Sequence, residues 1–150
     1  MKVNPVGKIL SQAERAYIAG LIDGDGAIMA CIERHQEKRF GFRIRLIVKV
    51  TYSRKNDADD LCALMKMGSV RGNRRTYDWI LKNQQEIVKL LKMLIPFLRV
   101  KKRQGVIALK IAEETIESKK DLQRVARLAD TLSAFNLRSR GRRKNYAAMI

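Results

Sequence analysis

Two aspartates, Asp23 and Asp25, alternate with Gly24 and Gly26 at what the local pattern marks as the end of a helix. Acids are disfavoured there, because the helix macrodipole is already negative at its carboxyl terminus. A cation would resolve the conflict, and two such carboxylates brought together by a second copy would make a hard-oxygen site suited to Mg²⁺. Alone, Asp-Gly-Asp-Gly reads as a plain helix stop, with Gly26 in a left-handed cap and both acids solvated. The preceding turns add something else. Ala13, Gly20 and Gly24 recur on one helical face with Tyr17 between them, while Ile18, Leu21 and Ile22 occupy the other. Small residues in a row let another backbone approach closely, and two copies crossing on that face would bring both Asp25 side chains to a two-fold axis. Other motifs fail. A calcium loop starting at Asp23 has Arg34 where its twelfth position needs Glu, and there is no dinucleotide-binding glycine fingerprint. Cys31, Cys62 and the single histidine, His35, cannot complete the four-ligand shell of structural zinc.

The elements that must position these acids follow from periodicity. Ser11 stands three residues before Glu14, a capping box that opens a helix running to about Asp25. Alternation of β-branched and aromatic residues with polar ones predicts strands over 27–35 and 40–52, joined by the polar stretch 36–39. A helix is expected over 57–67, strands over 69–73 and 76–82, and a helix over 84–95 ended by Pro96. Further helices are expected over 97–117 and 121–137. Helix, two strands, helix, two strands and more helix is an α+β plan, with helices on one side of an antiparallel sheet and the other side free to bind. The pleat assigns the faces. Phe42, Ile44, Leu46, Val48 and Val50 point inward with Ile28, Ala30, Ile32, Trp79 and Leu81. Cys31, Glu33, His35, Arg43, Arg45, Lys49, Arg71, Asn73, Arg75, Asp78 and Ile80 point outward.

Charge says what that outward face meets. Lys and Arg number 32 against 15 acids in 150 residues, a formal charge of +17, which is the footprint of a protein that binds a polyanion. Nucleic acid is the leading candidate, but a ribosomal-type protein or a binder of anionic membrane shares that footprint, and charge alone does not decide between them. The first 26 residues carry none of the excess. With no apolar run of membrane length and no apolar leader after Met1, the chain reads as an intracellular protein of one domain over 1–137. A basic tail over 138–150 follows, carrying Arg140, Arg142, Arg143 and Lys144.

Residues 18–26, Ile-Ala-Gly-Leu-Ile-Asp-Gly-Asp-Gly, closely resemble the signature of the LAGLIDADG homing endonucleases, departing only at Ile18 and Gly24. The order of elements, the Pro96-Phe97-Leu98 turn and Lys101 extend the resemblance to the single-motif, homodimeric members. It implies an αββαββα core, a motif helix pairing through Ala13, Tyr17, Gly20, Asp23 and Gly24, and a saddle of sheet over double-stranded DNA. It implies Asp25 as metal-binding acid with the Gly24 carbonyl as second ligand, Asp23 as a structural acid, and Lys101 as the basic residue beside the hydrolytic water. Mg²⁺ is the implied cofactor, with Mn²⁺ substituting and Ca²⁺ binding without supporting cleavage. Both strands would be cut across the minor groove to leave 3′ overhangs. Base reading falls to the outward strand residues, with Arg pairing to guanine and Glu33 accepting from cytosine. Tyr52 and Asn56 stand where the family more often has Gln and Arg, and Arg54 or Lys55 could substitute. An intron RNA maturase or a binding-only DNA regulator of the same fold is the alternative, and the intact Asp25 favours cleavage over either.

Overall fold

The structure, a computed structural model, describes residues 10–136 and 145–150. Its first helix, α1, spans Gln12–Asp25. The capping box forms as expected: Glu14 N–H donates to Ser11 Oγ at 3.1 Å, and Ser11 N–H donates to Glu14 Oε1 at 2.9 Å. β1 (Gly26–Arg34) follows with no intervening loop, then β2 (Phe42–Tyr52), α2 (Lys55–Met65), β3 (Ser69–Asn73), β4 (Thr76–Leu81) and α3 (Gln84–Leu94). A 3₁₀ turn at Ile95–Phe97, set by Pro96, leads to α4 (Lys102–Glu113) and α5 (Lys119–Phe135).

The four strands form one antiparallel sheet in the order β1-β2-β4-β3. Its inward face buries Ile28, Ile32, Leu46, Val48, Val50, Trp79 and Leu81 against Ile18, Ala19 and Ile22 of α1 and Ile87, Leu90, Leu91 and Leu94 of α3. Each such aliphatic or aromatic side chain removes apolar area worth roughly 1.5–3 kcal/mol from water, so this face fixes the register of every strand. Gly26 joins α1 to β1 in extended conformation, not as a left-handed cap. A Cβ there would stand 2.6 Å from the Ile22 backbone and 3.1 Å from the Lys49 carbonyl, so the glycine serves the close approach of helix to sheet. Among the described residues no helix is long and apolar enough to cross a membrane.

Two elements differ from expectation. α4 begins at Lys102 instead of 97, because the backbone N–H groups of Arg99 and Lys101 are taken by the carboxylate of Asp23. The chain end is not a free tail over its last six residues. Asp130 of α5 accepts the backbone N–H of Tyr146 and, at 3.1 Å, that of Ala147, and the Tyr146 ring is buried in the core. Asn136 donates to the Ile28 carbonyl at 2.6 Å, covering part of the open edge of β1.

Candidate active site and nucleic-acid interface

Two acids one residue apart on α1 meet opposite fates. Asp23 is clamped: Oδ1 accepts the Lys101 N–H and Oδ2 the Arg99 N–H, both at 2.9 Å. Lys101 returns the contact, its Nζ donating to the Asp23 carbonyl at 2.7 Å, and the residue is only 6% exposed. A buried cation on the last carbonyls of a helix offsets their partial negative charge. Asp25 is exposed and makes no hydrogen bond or ion pair with the described residues. The clamp therefore ties the start of α4 to the end of α1 and holds the Lys101 ammonium against a peptide group next to the free carboxylate.

The face of α1 that carries Ala13, Ala16, Tyr17, Gly20 and Gly24 is exposed, and a Cβ at Gly20 or Gly24 would meet nothing within 4 Å. Ile18 and Ile22, on the opposite side, are fully buried, with Leu21 between the two extremes. Asp23, grouped with the open face in sequence and implied there as a structural acid, turns its carboxylate toward the α3–α4 connection. No group of three or more His, Cys, Asp or Glu side chains that could hold a metal occurs among the described residues of one chain. One carboxylate beside a helix-end carbonyl is a hard-oxygen half-site, so its donor set fits Mg²⁺ when a second copy supplies the other half.

On the sheet, the outward rows run as the pleat requires. Glu33 stands opposite Arg43, Cys31 opposite Arg45 and Lys49 opposite Ile80, all facing away from the helices. Arg71, Asn73 and Arg75 are exposed, Arg75 in the turn between β3 and β4. Asp78 and Ile80 share this face but are buried, at 0% and 6% exposure. Asp78 accepts the Thr51 hydroxyl at 2.7 Å and lies 3.9 Å from Arg71 Nη2. These two were expected to touch DNA directly. β4 lies between β2 and β3, so neighbouring side chains close over them, and Asp78 serves its neighbours. Glu33, expected to accept from cytosine, here accepts from Arg43 at Oε1 and from Arg45 at Oε2. The Arg43 hydrogen bond is the main reason its carboxyl lies below the ordinary range. Cys31 is half-buried against the Tyr146 hydroxyl, whose pKa burial foremost pushes up. Arg140, Arg142, Arg143 and Lys144 lie outside the described residues.

A family model for the LAGLIDADG endonucleases matches residues 18–112, from the first motif residue to the end of α4. The chain belongs to that family. DNA endonuclease I-CreI of Chlamydomonas reinhardtii is 32% identical over 125 residues, covering 80% of this chain and 77% of the relative. Among solved structures, homing endonuclease I-CvuI in complex with the I-CreI target superposes with a TM-score of 0.79 at 24% identity, covering 90% of this chain and 88% of that one. The archaeal intron-encoded homing endonuclease I-Vdi141I, complexed with DNA, gives 0.76 at 24% identity over 91% of each chain. I-TnaI gives 0.73 at 18% identity over 99% of each. At these identities the structural likeness is one of fold, and it bears out the αββαββα plan.

Against the LAGLIDADG pattern, the structure resolves part of what sequence left open around Tyr52. Lys55 is committed to Asp59, 2.8 Å away on the surface of α2, and Arg54 is the residue at which α2 begins. Tyr52 itself is half-buried, and its hydroxyl titrates above the usual value through burial, with Tyr17, Asp57 and Asp25 adding to the shift. The same end of the sheet opens a cleft of about 200 Å³ lined by Tyr17, Tyr52, Asp57, Asp60, Leu61 and Leu64. Tyr52 is therefore the side chain nearest in kind to a site residue that spacing alone did not single out.

Proposed function

We propose that two copies of this chain pack along the open face of α1 and cut a specific double-stranded DNA site with the help of Mg²⁺. The observation that carries this reading is the contrast between Asp23 and Asp25: one acid is consumed by the fold, and the other is left exposed at the negative end of a helix whose open face fits a second copy. That the relatives are DNA endonucleases, and that solved neighbours hold DNA, supports the same substrate.

Asp25 and the Gly24 carbonyl are the groups that hold Mg²⁺, with the matching pair on the second copy. Mg²⁺ there supplies Lewis-acid chemistry, strengthening water as a nucleophile and steadying charge on the departing 3′ oxygen. Lys101 adds positive charge where the scissile phosphate gains negative charge, and burial makes that charge count for more than in water. The outward face carries Arg43, Arg45, Lys49, Arg71, Asn73 and Arg75 to base edges and phosphates, and the basic residues of 138–144 add sequence-independent affinity. Mn²⁺ substitutes for Mg²⁺, whereas Ca²⁺ supports binding without cutting.

The test is selection of cleaved duplexes from a randomised library, run separately with Mg²⁺, Mn²⁺, Ca²⁺ and a chelator. Recovery of one site with related half-sites, cut only with Mg²⁺ or Mn²⁺, is the expected result. Sequence-specific binding with no cutting under any metal would leave a binding protein and overturn the enzyme reading.

A further inference from the structure

The ribbon of β1 and β2 carries a charge arrangement that has a use beyond holding the fold. Arg43 aims Nε, at 2.8 Å, and Nη2 at the Oε1 atom of Glu33 directly across the ribbon. Arg45, two residues along on the same face, donates from Nη2 to Oε2 at 3.3 Å and places its Nε 3.1 Å from Oε1. One carboxylate thus holds two guanidinium groups, Arg43 by hydrogen bonds along its Nε–Nη2 edge and Arg45 by one from Nη2, with the Arg45 Nε close by but not hydrogen-bonded.

Partly exposed ion pairs of this kind add little to stability, since solvent screens them and long side chains must be ordered to make them. What the arrangement does do is order those side chains. Two arginines spaced by one residue on one face would otherwise repel and sample many rotamers. Arg45 is tethered through Nη2, and Arg43, gripped along its Nε–Nη2 edge, is fixed with its outer Nη1–Nη2 edge turned away from the carboxylate. That outer edge is a pair of parallel donors, which matches the paired O6 and N7 acceptors that guanine alone shows in the major groove. Two residues of strand advance about 6.7 Å, close to two base-pair steps of about 3.4 Å, so both arginines address one short stretch of duplex.

We propose that Glu33 is a positioning residue for base recognition, holding Arg43 and Arg45 as a preformed pair of donors that reads guanines within two base-pair steps of each other. The inference rests on the DNA-cutting reading above and deepens it. Glu33 lies eight residues beyond Asp25, about 26 Å of extended chain, so the guanines fall in the outer part of each half-site, away from the cut. Ordering the arginines before DNA arrives removes an entropic cost from the bound state. It also makes the wrong base costly, since a fixed donor pair cannot swing to another acceptor. The carboxylate is itself a repulsive element near the phosphates, so its removal separates affinity from selectivity.

The experiment is selection of bound duplexes from a randomised library by the full-length protein in Ca²⁺, with base frequencies read at each position. Wild type, Glu33→Gln, Glu33→Asp, Arg43→Met and Arg45→Met are compared, together with affinity for a fixed non-specific duplex. The wild type should show two guanine-preferring positions, Arg43→Met losing one and Arg45→Met the other. Glu33→Gln should lose about tenfold of the guanine preference at both, the size of one good bidentate discrimination, while binding the non-specific duplex as well or better. Glu33→Asp, which keeps the charge on a shorter arm, should recover part of the preference. An unchanged profile in Glu33→Gln, or a uniform loss of affinity for all duplexes, overturns the proposal. So does a change at a cytosine position that neither arginine variant shares, since Glu33 would then read a base itself. A wild type that enriches a site without the guanines sinks this inference alone, whereas one that enriches nothing sinks the DNA reading with it.

Discussion

The carboxyl end of α1 and the outward face of the sheet treat their acids in opposite ways. On the sheet, Glu33 is paired with two arginines, and Asp78 with a hydroxyl and, more loosely, with Arg71. At the helix end Asp23 is saturated by backbone donors, yet Asp25 has no partner among the described residues, where the helix dipole already disfavours it. The sheet settles its two acids internally. Lys101 offsets part of the negative charge at the helix end, and the exposed Asp25 carboxylate is the part that a cation would further relieve. On the proposed function, cutting and reading fall to separable parts of the chain.

The sharpest way to break that separation is Asp25→Asn. The amide keeps size and helix-end geometry but removes the charge proposed to hold Mg²⁺, so cleavage of the selected site should fall below detection while gel-shift affinity is unchanged or tighter. Undiminished cutting would remove Asp25 from the site. Next in size is Gly20→Leu, which fills the open face of α1 and should convert a dimer into a monomer in sedimentation, with double-strand cleavage lost as a consequence. A variant still dimeric would place the interface elsewhere. Lys101→Met should slow single-turnover cleavage on the order of a hundredfold, as loss of one charge-stabilising group does, with Mg²⁺ titration little altered. A large shift in the Mg²⁺ requirement instead would make Lys101 part of metal binding.

The smallest effects sharpen the comparison within α1 itself. Asp23→Ala removes two charge-assisted hydrogen bonds at about 1.5–3 kcal/mol each, and should cost about 3 kcal/mol of stability by denaturant unfolding. Asp25→Asn should instead gain about 0.5 kcal/mol, because it relieves the repulsion at the helix end. Equal effects of the two substitutions would mean that the two acids do not differ as their contacts say.

Local pattern alone was enough for a large part of this molecule. Alternation in β1 and β2 assigned each side chain to its face, because a pleat has a period of two and a buried face tolerates no slip. Ser11 and Glu14 announced the start of α1, and the nine residues of the motif marked both the open helix face and the acid that ends it. These are properties of residues a few positions apart. The tertiary structure decided whatever depends on partners far along the chain. Asp23 reaches across 78 positions to take the N–H groups that would have begun α4 earlier, so a helical pattern starting at Phe97 became an anchored loop. Asp78 reads as outward by parity, but the crossover order β1-β2-β4-β3 put its strand between two others and buried it. Tyr146, in a stretch that composition marks as tail, found Asp130 and the edge of β1. Glu33 became a holder of arginines only once β2 lay beside β1. Periodicity records which way a side chain points; what stands there to meet it is set by the chain folding back on itself, and that is written in no single window of the sequence.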